Sequence, residues 1–161
     1  LIKENGMTAG ALVSIVMGSR NDEAHVEKTI ALLERLGIPW EKTVLSAHRQ
    51  PDALGEFVAQ SANRGVRIFI AVAGLSAALP GVIASHTPMP VIGVPVPTGP
   101  LHGMDALLAM VQMPGGIPVA TVGLGSNGSV NAAVLAAQIL APGSPAVKRA
   151  LDEYRQELRE A

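Results

Sequence analysis

The sequence contains no cysteine. That excludes a disulfide scaffold and any thiolate metal site, and it fits the reducing cytoplasm. Aromatic residues are nearly absent: Phe57, Phe69, Trp40 and Tyr154 are the full set. No series of platforms exists on which the bases of a nucleic acid could stack. Charged residues make up only 16% of the 161 residues, where an ordinary globular chain has about 25%. The formal net charge is −1, so no basic surface is available for a polyanion. Apolar runs are short and broken by Gly or Pro, well below the roughly 20 residues of a membrane span. The opening stretch Leu1-Ile2-Lys3-Glu4-Asn5-Gly6 does not resemble a signal peptide and reads as part of a flexible tail over residues 1–10.

The remaining charge is unevenly placed. Between residues 71 and 147 the only Asp, Glu, Lys or Arg is Asp105. A surface of Ala, Gly, Ser and Pro is one explanation. Burial of much of this half against further copies of the chain is the other, and the composition favours it.

Strand and helix signals alternate along the chain. Residues 11–17 form a short apolar run that ends at Gly18-Ser19. Val26, Ile30, Leu33 and Leu36 then recur at helical spacing with Glu27, Lys28, Glu34 and Arg35 between them, which predicts an amphipathic helix over 23–36. Further strands are expected at 40–45, 66–73, 90–96 and 118–124. Further helices are expected at 51–63, 79–84, 105–111, 130–140 and 146–159. The strands are apolar throughout instead of alternating, as in a parallel sheet covered on both faces. The expected fold is α/β: a doubly wound, three-layer α/β/α sandwich around a central parallel sheet, of the flavodoxin-like kind.

Ligands in such folds sit outside the carboxyl ends of the strands. The loops there are 18–22, 46–49, 74–77, 95–102 and 123–128. In the first, Gly18 permits a tight turn, and Ser19 with nearby backbone N–H groups can hold a phosphate. Asp22 can accept from sugar hydroxyls or simply cap the helix, and pattern alone favours the cap. Neither a dinucleotide fingerprint nor a Walker loop is present. In the second, His48 stands at a strand's carboxyl end beside Ser46 and Arg49. An imidazole can take up or give a proton near neutral pH, and a guanidinium fork suits phosphate or carboxylate. The alternative is a polar loop histidine beside a surface cation. His25 reads as solvent-facing, His86 as structural or interfacial, and His102 as lying on the ligand edge. No close metal-binding spacing and no Gly-x-Ser-x-Gly elbow occurs. The glycine-rich stretch 123–129 reads as a turn that could bind an anion or only permit a tight connection.

Taken together, the motifs resemble PurE, the phosphoribosylaminoimidazole carboxylase catalytic subunit family. They are Val16-Met17-Gly18-Ser19 with Asp22, Ser46-Ala47-His48-Arg49 with Pro51-Asp52, Ala73-Gly74 and Leu79-Pro80-Gly81. The series continues with Pro90-Val91-Ile92-Gly93-Val94-Pro95-Val96, Gly103-Met104-Asp105, the run from Val111-Gln112-Met113-Pro114-Gly115-Gly116 to Ile117-Pro118-Val119, and Asn131-Ala132-Ala133. The match spans residues 11–141, which leaves 142–161 as a C-terminal helix packing on the domain or on a neighbouring subunit.

The resemblance implies a cytoplasmic homo-octamer with active sites at subunit contacts, and a nucleotide substrate. It implies no metal or cofactor, and no nucleic-acid or membrane partner. The implied reaction is conversion of N5-carboxyaminoimidazole ribonucleotide to 4-carboxy-5-aminoimidazole ribonucleotide in purine biosynthesis. By the same resemblance His48 is the proton-transfer residue. Ser19, Ser46 and Arg49 help hold the phosphate and Asp22 the ribose hydroxyls; Gly18 belongs to the same substrate site, and the small residues Gly74, Ser76 and Ala77 suit a tight pocket for the migrating carboxyl group.

The third loop departs from the common pattern Gly-Gly-Ala-Ala-His-Leu-Pro-Gly. Leu75 replaces the second glycine and Ala78 replaces the histidine. Ser76 resembles instead the direct carboxylases of the family, although their Arg and Asn are absent. Direct carboxylation of aminoimidazole ribonucleotide by carbon dioxide is therefore an alternative. So is a diverged relative that acts on, or only binds, another phosphorylated heterocycle.

Overall fold

The computed structural model describes residues 10–160. The tail expected over residues 1–10 lies, apart from Gly10, outside the described residues. Five strands form one sheet: β1 (Val13–Met17), β2 (Trp40–Val44), β3 (Ile68–Ala73), β4 (Val91–Pro95) and β5 (Ala120–Thr121). Their order is β2-β1-β3-β4-β5, and every pairing is parallel. β3 is central, and β1 beside it has Val13 opposite Trp40 on one side and Ile68 on the other. The helices are α1 (Glu27–Arg35), α2 (Pro51–Ala59), α3 (Leu79–His86), α4 (Met104–Val111), α5 (Gly125–Leu140) and α6 (Pro145–Glu160).

The alternation of side chains along each strand fills two cores. Val13, Ile15 and Met17 of β1, with Ile68, Ile70 and Val72 of β3, meet Leu32 and Leu33 of α1 and Ala132, Ala133 and Ala136 of α5. Val147 and Leu151 of α6 are buried in the same cluster. On the other face Val16, Phe69 and Ala71 meet Leu54 and Val58 of α2, Leu79 and Ile83 of α3, and Ala106 and Met110 of α4. Both faces of β1, β3 and β4 are thus covered, which is why these strands carry no polar stripe. The result is a flavodoxin-like three-layer α/β/α sandwich. The order reverses between β1 and β3, and that crevice is where such a sheet offers a ligand site.

Candidate active site

The loops that leave β1, β2, β3 and β4 enclose one cavity of about 480 Å³, within the roughly 300–1,000 Å³ usual for small-molecule sites. Its lining includes all nine residues singled out from the sequence: Gly18, Ser19, Asp22, Ser46, His48, Arg49, Gly74, Ser76 and Ala77.

The strand pairings extend into these loops and fix their starts. Gly18 N–H donates to the Val72 carbonyl at 3.1 Å, Leu45 N–H to Met17 at 2.9 Å, and Val96 N–H to Ala73 at 3.0 Å. In the first loop, a 3-10 turn covers Arg20–His25 before α1 begins. Ser19 is its N-cap. The Ser19 hydroxyl accepts from Asn21 N–H at 3.2 Å, and Asp22 Oδ2 accepts from Ser19 N–H at 2.9 Å. Asp22 therefore does not cap the helix itself; it is the reciprocal partner in a capping box whose cap is Ser19. Asp22 is buried, and loss of hydration pushes its carboxyl above the ordinary range, opposed more weakly by the Ser19 N–H and by His25.

In the second loop, Ser46 is buried and its hydroxyl accepts from Arg49 N–H at 3.3 Å, closing a turn that leaves His48 exposed to the cavity. The Arg49 guanidinium reaches back to the Gly18 carbonyl at 3.5 Å, joining the second loop to the first. The Arg49 cation and the Ser19 and Ser46 hydroxyls thus line the same cavity, the kinds of group that can hold an anion.

The third loop is strained. Leu75 and Ala77 are non-glycine residues in the left-handed region, with φ of +50° and +35°, a conformation that costs an L-residue about 1–2 kcal/mol. Leu75 stands where the common family pattern has glycine, yet the backbone keeps the glycine-like conformation.

His48 is the only histidine lining the cavity. Neither His86 nor His102 takes the place of the histidine that Ala78 lacks. His86 lies beside a second cavity at the opposite end of β4, with Thr87, Pro88 and Ile117. His25 is half-buried, and its carbonyl accepts from the Ser129 hydroxyl at 2.6 Å. The glycine-rich stretch is also not a loop: residues 125–129 are the first turns of α5. Thr98, Leu75 and Ala78 are among the further lining residues that were not singled out from the sequence as site residues. The available signal for Thr98 was its place in the loop after β4, whose histidine, His102, does not line the cavity.

A family model described as AIR carboxylase matches residues 12–161. The chain belongs to the AIR carboxylase family. The N5-carboxyaminoimidazole ribonucleotide mutase of Bacillus subtilis is 48% identical over 149 residues, covering 92% of each chain. That of Pseudomonas aeruginosa is 47% identical, over 90% of this chain and 89% of its own. The crystal structure of Treponema denticola PurE superposes with a TM-score of 0.84 at 28% identity, covering 93% of this chain and 92% of that one. In this AIR carboxylase family member no helix among the described residues is long and apolar enough to cross a membrane. Nor does any group of three or more His, Asp or Glu side chains converge there as metal ligands would.

Proposed function

We propose that this chain converts N5-carboxyaminoimidazole ribonucleotide to 4-carboxy-5-aminoimidazole ribonucleotide, a step of purine biosynthesis. The supporting observation is the convergence of Ser19, Asp22, Ser46, His48 and Arg49 with the small-residue wall of Gly74, Ser76 and Ala77 on one cavity. Relatives nearly half identical over nine-tenths of the chain carry the mutase name.

In this reading Gly18, Ser19, Ser46 and Arg49 hold the phosphate and Asp22 accepts from the ribose hydroxyls. Protonated His48 gives its proton to the exocyclic nitrogen as the nitrogen–carbon bond of the carbamate breaks. Carbon dioxide and the free amine result. Carbon 4 of the electron-rich ring attacks the carbon dioxide, and neutral His48 then removes the carbon 4 proton. The histidine ends as it began, so one group serves as acid and base. The wall at Gly74, Ser76 and Ala77 keeps the carbon dioxide beside the ring, a matter of proximity and excluded water. The scheme calls on no metal or cofactor.

The same reading makes the protein a cytoplasmic homo-oligomer, an octamer. Support comes from α4, where Met104, Leu108 and Val111 share one helical face and are each about half exposed, in a region whose only charge is Asp105.

The test compares the wild type with His48→Asn in two assays that follow the carboxylated product by ultraviolet absorbance. One begins from the N5-carboxylated substrate and the other from aminoimidazole ribonucleotide with bicarbonate. Turnover of the first alone, lowered about 10²–10⁴-fold in the variant, is expected. Turnover that requires free carbon dioxide would make the chain a direct carboxylase. Failure of both assays with folded protein would mean a different substrate or a binding role.

A further inference from the structure

The loops that follow β3 and β4 hold each other through two interlocking seats. A Cβ at Gly74 would overlap the Thr98 γ-methyl, so that methyl lies directly against the Gly74 backbone. Conversely, a Cβ at Gly99 would lie 2.6 Å from Leu75 Cδ2, so the leucine side chain rests on Gly99. Each loop thus offers a bare glycine to the neighbouring loop's side chain. Leu75 and Thr98 both line the cavity. The left-handed strain at Leu75 persists because its surroundings hold it there. A leucine that is 55% exposed gains little from burial in return, so stability alone does not account for it.

The geometry points to Leu75 and Thr98 as a clasp that positions the loop following β4 against the carboxyl-transfer wall and keeps carbon dioxide from escaping. Both are positioning residues. The inference rests on the mutase reading and adds to it which residues govern retention of the intermediate. Leu75 acts by gripping Gly99, and that grip holds Thr98 against Gly74, on the same cavity as Ser76 and Ala77. Opening the clasp lets the wall move away from the ring, and carbon dioxide equilibrates with solvent before carbon 4 captures it. No bond is made or broken by either side chain.

The experiment uses substrate carrying isotopic label in its carboxyl group, in unlabelled bicarbonate buffer, with mass spectrometry of the 4-carboxylated product. The wild type is expected to keep the label. Leu75→Gly, which relieves the left-handed strain, and Thr98→Ser, which removes only the methyl, are expected to lose it several-fold more readily while neither variant unfolds at the assay temperature. Because the two side chains act as one unit, the double variant is expected to lose no more label than the weaker-retaining single variant. Label retention equal to wild type in both single variants would overturn the clasp while leaving the mutase reading intact. Complete exchange by the wild type would overturn the retention claim. A wild type that does not convert the substrate would remove the mutase reading and this inference with it.

Discussion

Asp22 is a buried carboxylate held by the Ser19 N–H, and burial disfavours its charged form. The sign of the pH effect follows from the raised carboxyl. Where the group is ionised in both folded and unfolded chains, the fold bears the desolvation penalty. As pH falls through the folded value towards the unfolded one, the folded state binds its proton first and the penalty is relieved. Asp22→Asn keeps an oxygen for the Ser19 N–H and discards the charge. The variant is expected to melt no lower than wild type at pH 7, with the advantage shrinking at acid pH. If Asp22 accepts from the ribose, KM rises at least about tenfold, the effect of losing one charge-assisted hydrogen bond. Thermal melts across pH and steady-state kinetics check the two halves separately.

At the scale of elements, the edge strand β2 is tied to the segment after α2 by an ion pair. Glu41 is buried, and the Arg64 guanidinium meets it through Nε at 3.2 Å and Nη2 at 3.0 Å while lying over the Phe57 ring. Arg64→Ala leaves a buried carboxylate without its partner and is expected to cost about 3 kcal/mol in urea unfolding, the low end for a broken buried pair. A Glu41→Leu, Arg64→Leu double variant is expected to recover most of that loss, since two apolar groups leave no orphaned charge.

The fold was legible from the sequence where apolar runs met glycine, as at Met17-Gly18 and Ala73-Gly74, because strands covered on both faces have an unmistakable composition. The ends of elements were not. β5 is Ala120–Thr121 where a strand over 118–124 is expected, since Pro118 has no N–H to give and the strand lies on an edge. α5 begins at Gly125, five residues before the expected start. Its first turns carry turn-forming residues, but Thr29 Oγ1 donates to the Ser129 carbonyl and the Ser129 hydroxyl to His25, contacts about a hundred residues apart. Such tertiary bonds override local preference and leave no local trace. The same reason hid Thr98, whose importance lies in an approach between two loops. At Leu75 the substitution for glycine was visible, but its seat on Gly99 was not.

For the whole molecule, the apolar face of α4 carries the expectation of assembly. Leu108 is 53% exposed midway along it. Leu108→Glu would place a charge at the centre of a contact between copies. Sedimentation velocity is expected to show wild type as a single large species and the variant shifted to smaller ones, with secondary structure unchanged. A wild type that sediments as a monomer would end the oligomer proposal.

The cavity has its own consequence at this scale. Its walls run from Gly18 to Thr98 and belong to four adjacent strands, so a ligand grips the carboxyl edge of most of the sheet at once. Occupancy at a hundred times Kd adds about 2.7 kcal/mol to the folded state, and that increment falls on global unfolding instead of local fraying. Amide hydrogens at Ile15 and Ile70, deep in the sheet and outside the cavity lining, should exchange more slowly with deuterium once it is filled.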